Sequence, residues 1–179
     1  TVYQNGAVVP PTVNAVSVQA IYDGQGLALR LSWNDPTEDR LPTGQAGLPT
    51  ASAAQAGGTP PDALGLAFRS DGAGPEAGSL RTWPLADSPA LEVVYWSADA
   101  GEIRRGIAVG FSAVATRQAA VDILSGEAVY EDGRWTVLIR RPLNADRPVP
   151  MAIAIWDGGN NEQHKVRSSS AWLDLVLQE

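Results

Sequence analysis

Residues 126–142 restrict the possible folds more than any other stretch. Trp135, Val137 and Ile139 fall on one side of a period-two pattern, and Thr136, Leu138 and Arg140 fall on the other. That alternation is the mark of a strand with one face in a core and one in solvent. The run Ala128-Val129-Tyr130 precedes it, separated by Glu131-Asp132-Gly133-Arg134. An Asp-Gly pair supplies the positive φ that a tight hairpin demands, so the two runs are predicted to pair antiparallel. A second such unit lies near the start. Leu27, Leu29, Leu31 and Trp33 alternate with Ala28, Arg30 and Ser32, and residues 22–26 form a turn after a strand expected over 13–21.

Further strands are predicted at 63–68, 91–96, 107–111, 151–156 and 172–177, and a short helix at 113–124. Many short strands separated by Gly and Pro turns predict an all-β fold. Its expected form is an antiparallel β-sandwich with long loops and one or two short helices. A chain of 179 residues with 44% hydrophobic content is sized for one domain with a real core. Residues 42–61 are rich in Gly, Ala, Pro, Ser and Gln and read as a flexible surface insertion, or as a loop that packs on a partner or over a cofactor.

Composition removes several function classes. The formal net charge is −7, which argues against nucleic-acid binding. Cysteine is absent, so thiolate metal sites, iron-sulfur clusters and covalent haem attachment are excluded for this chain. One histidine cannot build a multi-His metal site. No apolar run is long enough to span a bilayer as a helix. No nucleophile–base constellation is visible, so no catalytic residue is assigned. The start at Thr1 is taken as a processed chain, with a removed signal peptide as the expectation.

Chemistry concentrates in the last quarter. The apolar run 151–155 leads into Trp156-Asp157-Gly158, then a polar loop carrying Glu162, His164 and Lys165, then Ser169, Ser170, Trp172 and a closing strand. Upstream stands Trp-Thr-Val-Leu-Ile-Arg-Arg-Pro-Leu at 135–143, and near the start Leu29-Arg30-Leu31-Ser32-Trp33-Asn34-Asp35. In this order the segments resemble the haem b-binding gamma subunits of ethylbenzene dehydrogenase, dimethyl sulfide dehydrogenase and related molybdenum enzymes of the dimethyl sulfoxide reductase family. The resemblance is strong from Arg134 onward and loose over 63–125.

The resemblance implies an electron-transfer subunit with no catalysis of its own. It would hold one haem b non-covalently and relay electrons to or from an iron-sulfur beta subunit and a molybdenum catalytic alpha subunit in the periplasm. It also implies that Lys165 binds the haem iron. Trp83, in a Pro-bounded loop, is read as edging the haem cleft, and Trp156 as fixing the loop by packing and contributing to the cofactor site. Such a lysine must be neutral, and holding an amine of ordinary pKa uncharged at pH 7 costs roughly 4–5 kcal/mol. A methionine is implied on the opposite haem face, where this chain places Leu85. Leucine cannot ligate iron. Another residue supplies that ligand, or the iron is five-coordinate, or haem is lost and the fold kept. Met151 opens a core strand and is read as packing. His164 substitutes for Lys165 rather than facing it.

Other readings stay beside this one. The alternative within the fold is a haem-free binding or structural subunit. A row of tryptophans in a β-sandwich also suggests a carbohydrate platform, but Trp33 and Trp135 lie on the apolar sides of their strands. Asp35, Asp39, Asp157 and Glu162 raise the question of calcium, yet their spacing matches no oxygen-ligand loop. Asp157 before Gly158 reads as a turn former. Arg140, Arg141, Arg147 and Arg167 are candidates for pairing with haem propionates.

Overall fold

The computed structural model describes residues 2–4, 7–9, 11–40, 58–68, 91–99, 101–109, 113–115, 124–142, 149–163 and 167–176. Within them every regular element is a strand. In chain order these are β1 (Val2–Gln4), β2 (Ala7–Val9), β3 (Ser17–Tyr22), β4 (Gly26–Asn34), β5 (Ala63–Phe68), β6 (Leu91–Ser97) and β7 (Ile103–Val109). They continue with β8 (Ala113–Ala115), β9 (Gly126–Glu131), β10 (Arg134–Pro142), β11 (Val149–Trp156), β12 (Ser168–Ser169) and β13 (Leu173–Leu175).

All pairings are antiparallel. One sheet has the order β3-β4-β10-β9, and the other β12-β11-β5-β6-β7-β8, with β13 also on β11; β1 and β2 form a separate ribbon. The predicted hairpin is present. Asp132 and Gly133 have φ of 50° and 70°, the double left-handed step of a two-residue turn, and Arg134 pairs Glu131.

The predicted alternation fixes which face of the smaller sheet is buried. Trp135 lies opposite Trp33, Val137 opposite Leu31 and Ile139 opposite Leu29. All six are buried. Cross-strand apolar pairs of this kind stabilise a sheet directly, and each fully buried side chain contributes about 1.5–3 kcal/mol. The larger sheet supplies the opposing layer from Leu64, Leu66, Phe68, Val94, Trp96, Met151, Ile153 and Ile155, all within the same core cluster. This is the expected antiparallel sandwich.

The centre of the larger sheet is buried on its outer face as well. All six residues of β5 are buried, and Ala67, Val93 and Ala152 form a second cluster against which Trp172 packs. This explains why 63–68 and 151–155 read as continuous apolar runs rather than alternating ones.

Several sequence expectations need correction. Among the described residues there is no helix. Of the segment expected to be helical at 113–124, residues 113–115 form β8, which pairs β7, and Leu124 makes an isolated bridge to Ile103, while 116–123 lie outside the described residues. At 113–115, pairing to an open sheet edge overrides a weak helical period. The strand expected at 107–111 begins at Ile103, and the one expected at 13–21 begins only at Ser17, leaving Val13 as a buried plug. Most of the insertion at 42–61 lies outside the described residues.

Candidate functional site

The site is built at one end of the sandwich, where β4 and β11 finish and β5 begins. Asp35 follows β4, Asp62 precedes β5, and Asp157 follows β11. With Asp39 they form a group in which one carboxylate oxygen of each lies within 4.8 Å of those of the others. Asp35, Asp62 and Asp157 are buried, and Asp39 is half-buried.

Each acid is fixed by its surroundings. Asp35 is held through its backbone: its N–H donates to Gly133 O at 2.9 Å, and Tyr130 Oη donates to Asp35 O at 3.0 Å. The turn of the β9–β10 hairpin therefore sets its position. Asp62 is a hub. Its Oδ1 accepts from Gly158 N at 2.8 Å, and its Oδ2 accepts from Asp39 N at 2.8 Å and Trp135 Nε1 at 2.9 Å. One side chain thus joins the segment after β4, the strand β10 and the loop after β11. Asp157 accepts from Asn160 N at 3.0 Å and Asn160 Nδ2 at 2.6 Å, which makes it the turn former that the sequence predicts. Asp39 Oδ2 accepts from Thr37 Oγ1 at 2.5 Å.

Beneath the acids lie three tryptophans. Trp96 and Trp135 pack edge to face at 4.8 Å, and Trp33 lies 6.3 Å from Trp96 and 6.5 Å from Trp135. All three are almost wholly buried. They are core and cannot serve as a sugar platform, as the alternation of β4 and β10 already indicates for Trp33 and Trp135.

The electrostatics follow from this crowding. Burial, then repulsion from Asp62 and Asp157, pushes the Asp35 carboxyl up to about 7. Burial pushes Asp62 up to about 6, although three N–H donors pull the other way. The nearby Arg40 is directed elsewhere. It ion-pairs with Glu38 at 2.7 Å, donates to Ala98 O at 2.7 Å and lies over the Trp135 ring. Among the described residues no arginine ion-pairs with the four acids.

Glu162, the fourth acid weighed from the sequence, belongs to a different device. Its Oε1 accepts from Thr12 Oγ1 at 2.8 Å and its Oε2 from Asp157 N at 3.1 Å, while its own N–H donates to Asp157 O at 3.0 Å. Burial raises its pKa. Glu162 closes the base of the 157–167 loop. Asn161, with φ of 56°, turns the chain there.

The far end of the loop is closed as firmly. Ser168 and Ser169 pair Ile155 and Ala154, Ser168 Oγ accepts from Val13 N at 3.2 Å, and Ser170 exchanges hydrogen bonds with Ile153. The loop therefore leaves β11 and returns to β11.

Of the residues the sequence selects for a cofactor, Trp156 is described. It is half-buried at the end of β11, edge to face with Tyr95 at 5.9 Å, and the Arg167 guanidinium lies 5.6 Å from its ring centre. Burial brings Arg167 down to about 10. Lys165, His164, Trp83 and Leu85 lie outside the described residues. Met151 is buried in the core, as its place in a strand predicts. Arg141 is committed to Glu92 at 2.8 Å and stacks on Phe68, and Arg140 approaches Glu127 at 3.8 Å. Arg147 lies outside the described residues. Of the three that are described, Arg167 is the one beside the loop.

Sequence reasoning considers Asp35, Asp39 and Asp157 together and discounts them because they share no loop. It misses Asp62. The signal available was positional: each of Asp35, Asp62 and Asp157 directly flanks a predicted strand, and antiparallel order brings those strand ends to one rim.

No family model matches the chain. Among curated proteins it is similar to one from Haloferax mediterranei, provisionally named respiratory nitrate reductase heme subunit ORF7, at 29% identity over 176 residues. The match covers 90% of this chain and 55% of the relative, so the chain spans about half the length of the protein it matches.

Proposed function

We propose that this protein is a haem-carrying electron-transfer subunit of a reductase complex, an accessory component rather than a catalyst. The observation that carries the reading is the similarity to a protein named as a haem subunit of respiratory nitrate reductase, which extends over nine-tenths of this chain. In the finer form of the proposal the group is haem b, held without covalent attachment. Lys165 is its iron ligand, and the partners are an iron-sulfur subunit and a molybdenum-bearing catalytic subunit in the periplasm.

The described residues fit such a group in their chemistry. The loop that carries Lys165 is bound to β11 at both ends, so a ligand within it starts from fixed anchors. An aromatic ring, Trp156, stands at one end of the loop and a guanidinium, Arg167, at the other, 5.6 Å from the ring centre. Haem, when bound, supplies one-electron exchange at iron. The chain's part is to present the amine as a free base, shield it from water and pair the propionates.

Lys165 is the sole lysine of the chain, which makes the test clean. Protein titrated with haem is expected to develop a Soret band that shifts on dithionite reduction, and Lys165→Ala is expected to lose or displace that band. A wild-type chain that stays colourless after haem is offered would overturn the reading. It would favour the haem-free subunit, which Leu85 at the position of the second ligand supports.

A further inference from the structure

We propose that Asp35, Asp39, Asp62 and Asp157 form a calcium site at the root of the 157–167 loop, separate from any haem. One carboxylate oxygen from each of the four lies within 4.8 Å of the others, the span of about two Ca–O bonds of roughly 2.4 Å, which is the spacing a shared ion requires. An all-oxygen donor set selects a hard cation over zinc or copper.

A second observation is independent of the clustering. Asp35 is completely buried, and its Oδ2 has no hydrogen-bond partner. Its Oδ1 accepts a long bond from Thr37 N at 3.3 Å. The buried Trp33 indole N–H lies near enough to favour the charged carboxylate but falls outside hydrogen-bond geometry. Buried carboxylate oxygens ordinarily find donors, and one left bare among three other carboxylates is placed to receive a cation. Asp62 and Asp157, by contrast, have donors on both oxygens, which orient them without neutralising the group.

The ligands come from three separated stretches of chain: 35–39, 62 and 157. An ion there ties the end of β4, the start of β5 and the start of the 157–167 loop into one rim. It would act as a structural brace, and its binding is measured without reference to haem.

The test uses the whole chain, dialysed against EDTA at pH 7.5 and titrated with Ca2+, Mg2+ or Tb3+. Calcium is expected to raise the melting temperature by on the order of 5–10 °C. Terbium is expected to show luminescence on tryptophan excitation, since Trp135 hydrogen-bonds a ligand, and calcium should quench it by displacement. Asp35→Asn should abolish both effects, yet in EDTA it should be at least as stable as wild type because it removes a repelling charge. Asp39→Asn, at a half-buried position, gives the same readout should Asp35→Asn fail to fold. Glu127→Gln, on an exposed strand position, should change nothing. No calcium shift, stabilisation by magnesium alone, or terbium emission that survives both Asp substitutions would overturn the proposal.

Discussion

Asp62 shows how much structure one carboxylate can carry. It takes three N–H donors from three different segments, and its own backbone N–H donates to Asp39 O at 3.0 Å while its carbonyl accepts from Ala98 N at 2.9 Å. Removing the side chain strands a buried indole, the buried amide of Gly158 and the half-buried amide of Asp39. Asp62→Ala is therefore expected to cost about 3–5 kcal/mol, read as a shift in the urea midpoint. A shift under about 1 kcal/mol would mean that water replaces the carboxylate at little cost. At this scale the sequence was half legible. Periodicity placed Trp33 and Trp135 in the core correctly. It had no means of pairing Trp135 with Asp62, since the two are 73 positions apart and only the fold brings them together.

Hairpins were the legible elements, because their information is local. Asp132-Gly133 and the alternation on each side of it determine turn, register and buried face together. The short elements β8 and β12 were not legible or were misjudged, because two or three residues carry no period and their pairing is set by the edges of β7 and β11, whereas β13 falls inside the strand expected at 172–177. The loop after β11 contains one position where backbone approach is decisive. A Cβ on Gly158 would stand 2.0 Å from Pro60 O and 2.7 Å from Asp39 Cβ. Gly158→Ala is expected to push the loop off the 60–62 segment, breaking the bond to Asp62 and costing about 2–4 kcal/mol in thermal or urea unfolding. Stability equal to wild type would show that the loop has slack.

Across the whole molecule, the two sheets share one core, and the acidic rim closes one end of it. That rim sets a pH dependence whose sign is fixed. Asp35 and Asp62 have folded-state pKa values of about 7 and 6, above the ordinary carboxylate value, so the folded chain binds more protons than the unfolded one between about pH 4 and 7. In EDTA, stability is expected to be greatest near the acid end of that window. It should fall as pH rises through 6 and 7, then level off once both groups are ionised in both states. Calcium should flatten the curve by favouring the ionised forms. Urea unfolding at several pH values checks this, and stability that rises from pH 5 to 7 in EDTA would contradict it. The sequence conveyed the sandwich and the Trp-Asp-Gly junction. The rim stayed hidden because it assembles from strand ends.

Strand β11 is met on one side by β5 and on the other by two short strands from downstream. The chain thus makes an excursion and docks back on the strand it left, so residues added to or removed from the middle of that excursion do not shift the pairing of either sheet. The segment bearing Lys165 is in this sense a replaceable cassette. Related chains can exchange what it carries, or lose it, while the rest of the sandwich keeps its alignment.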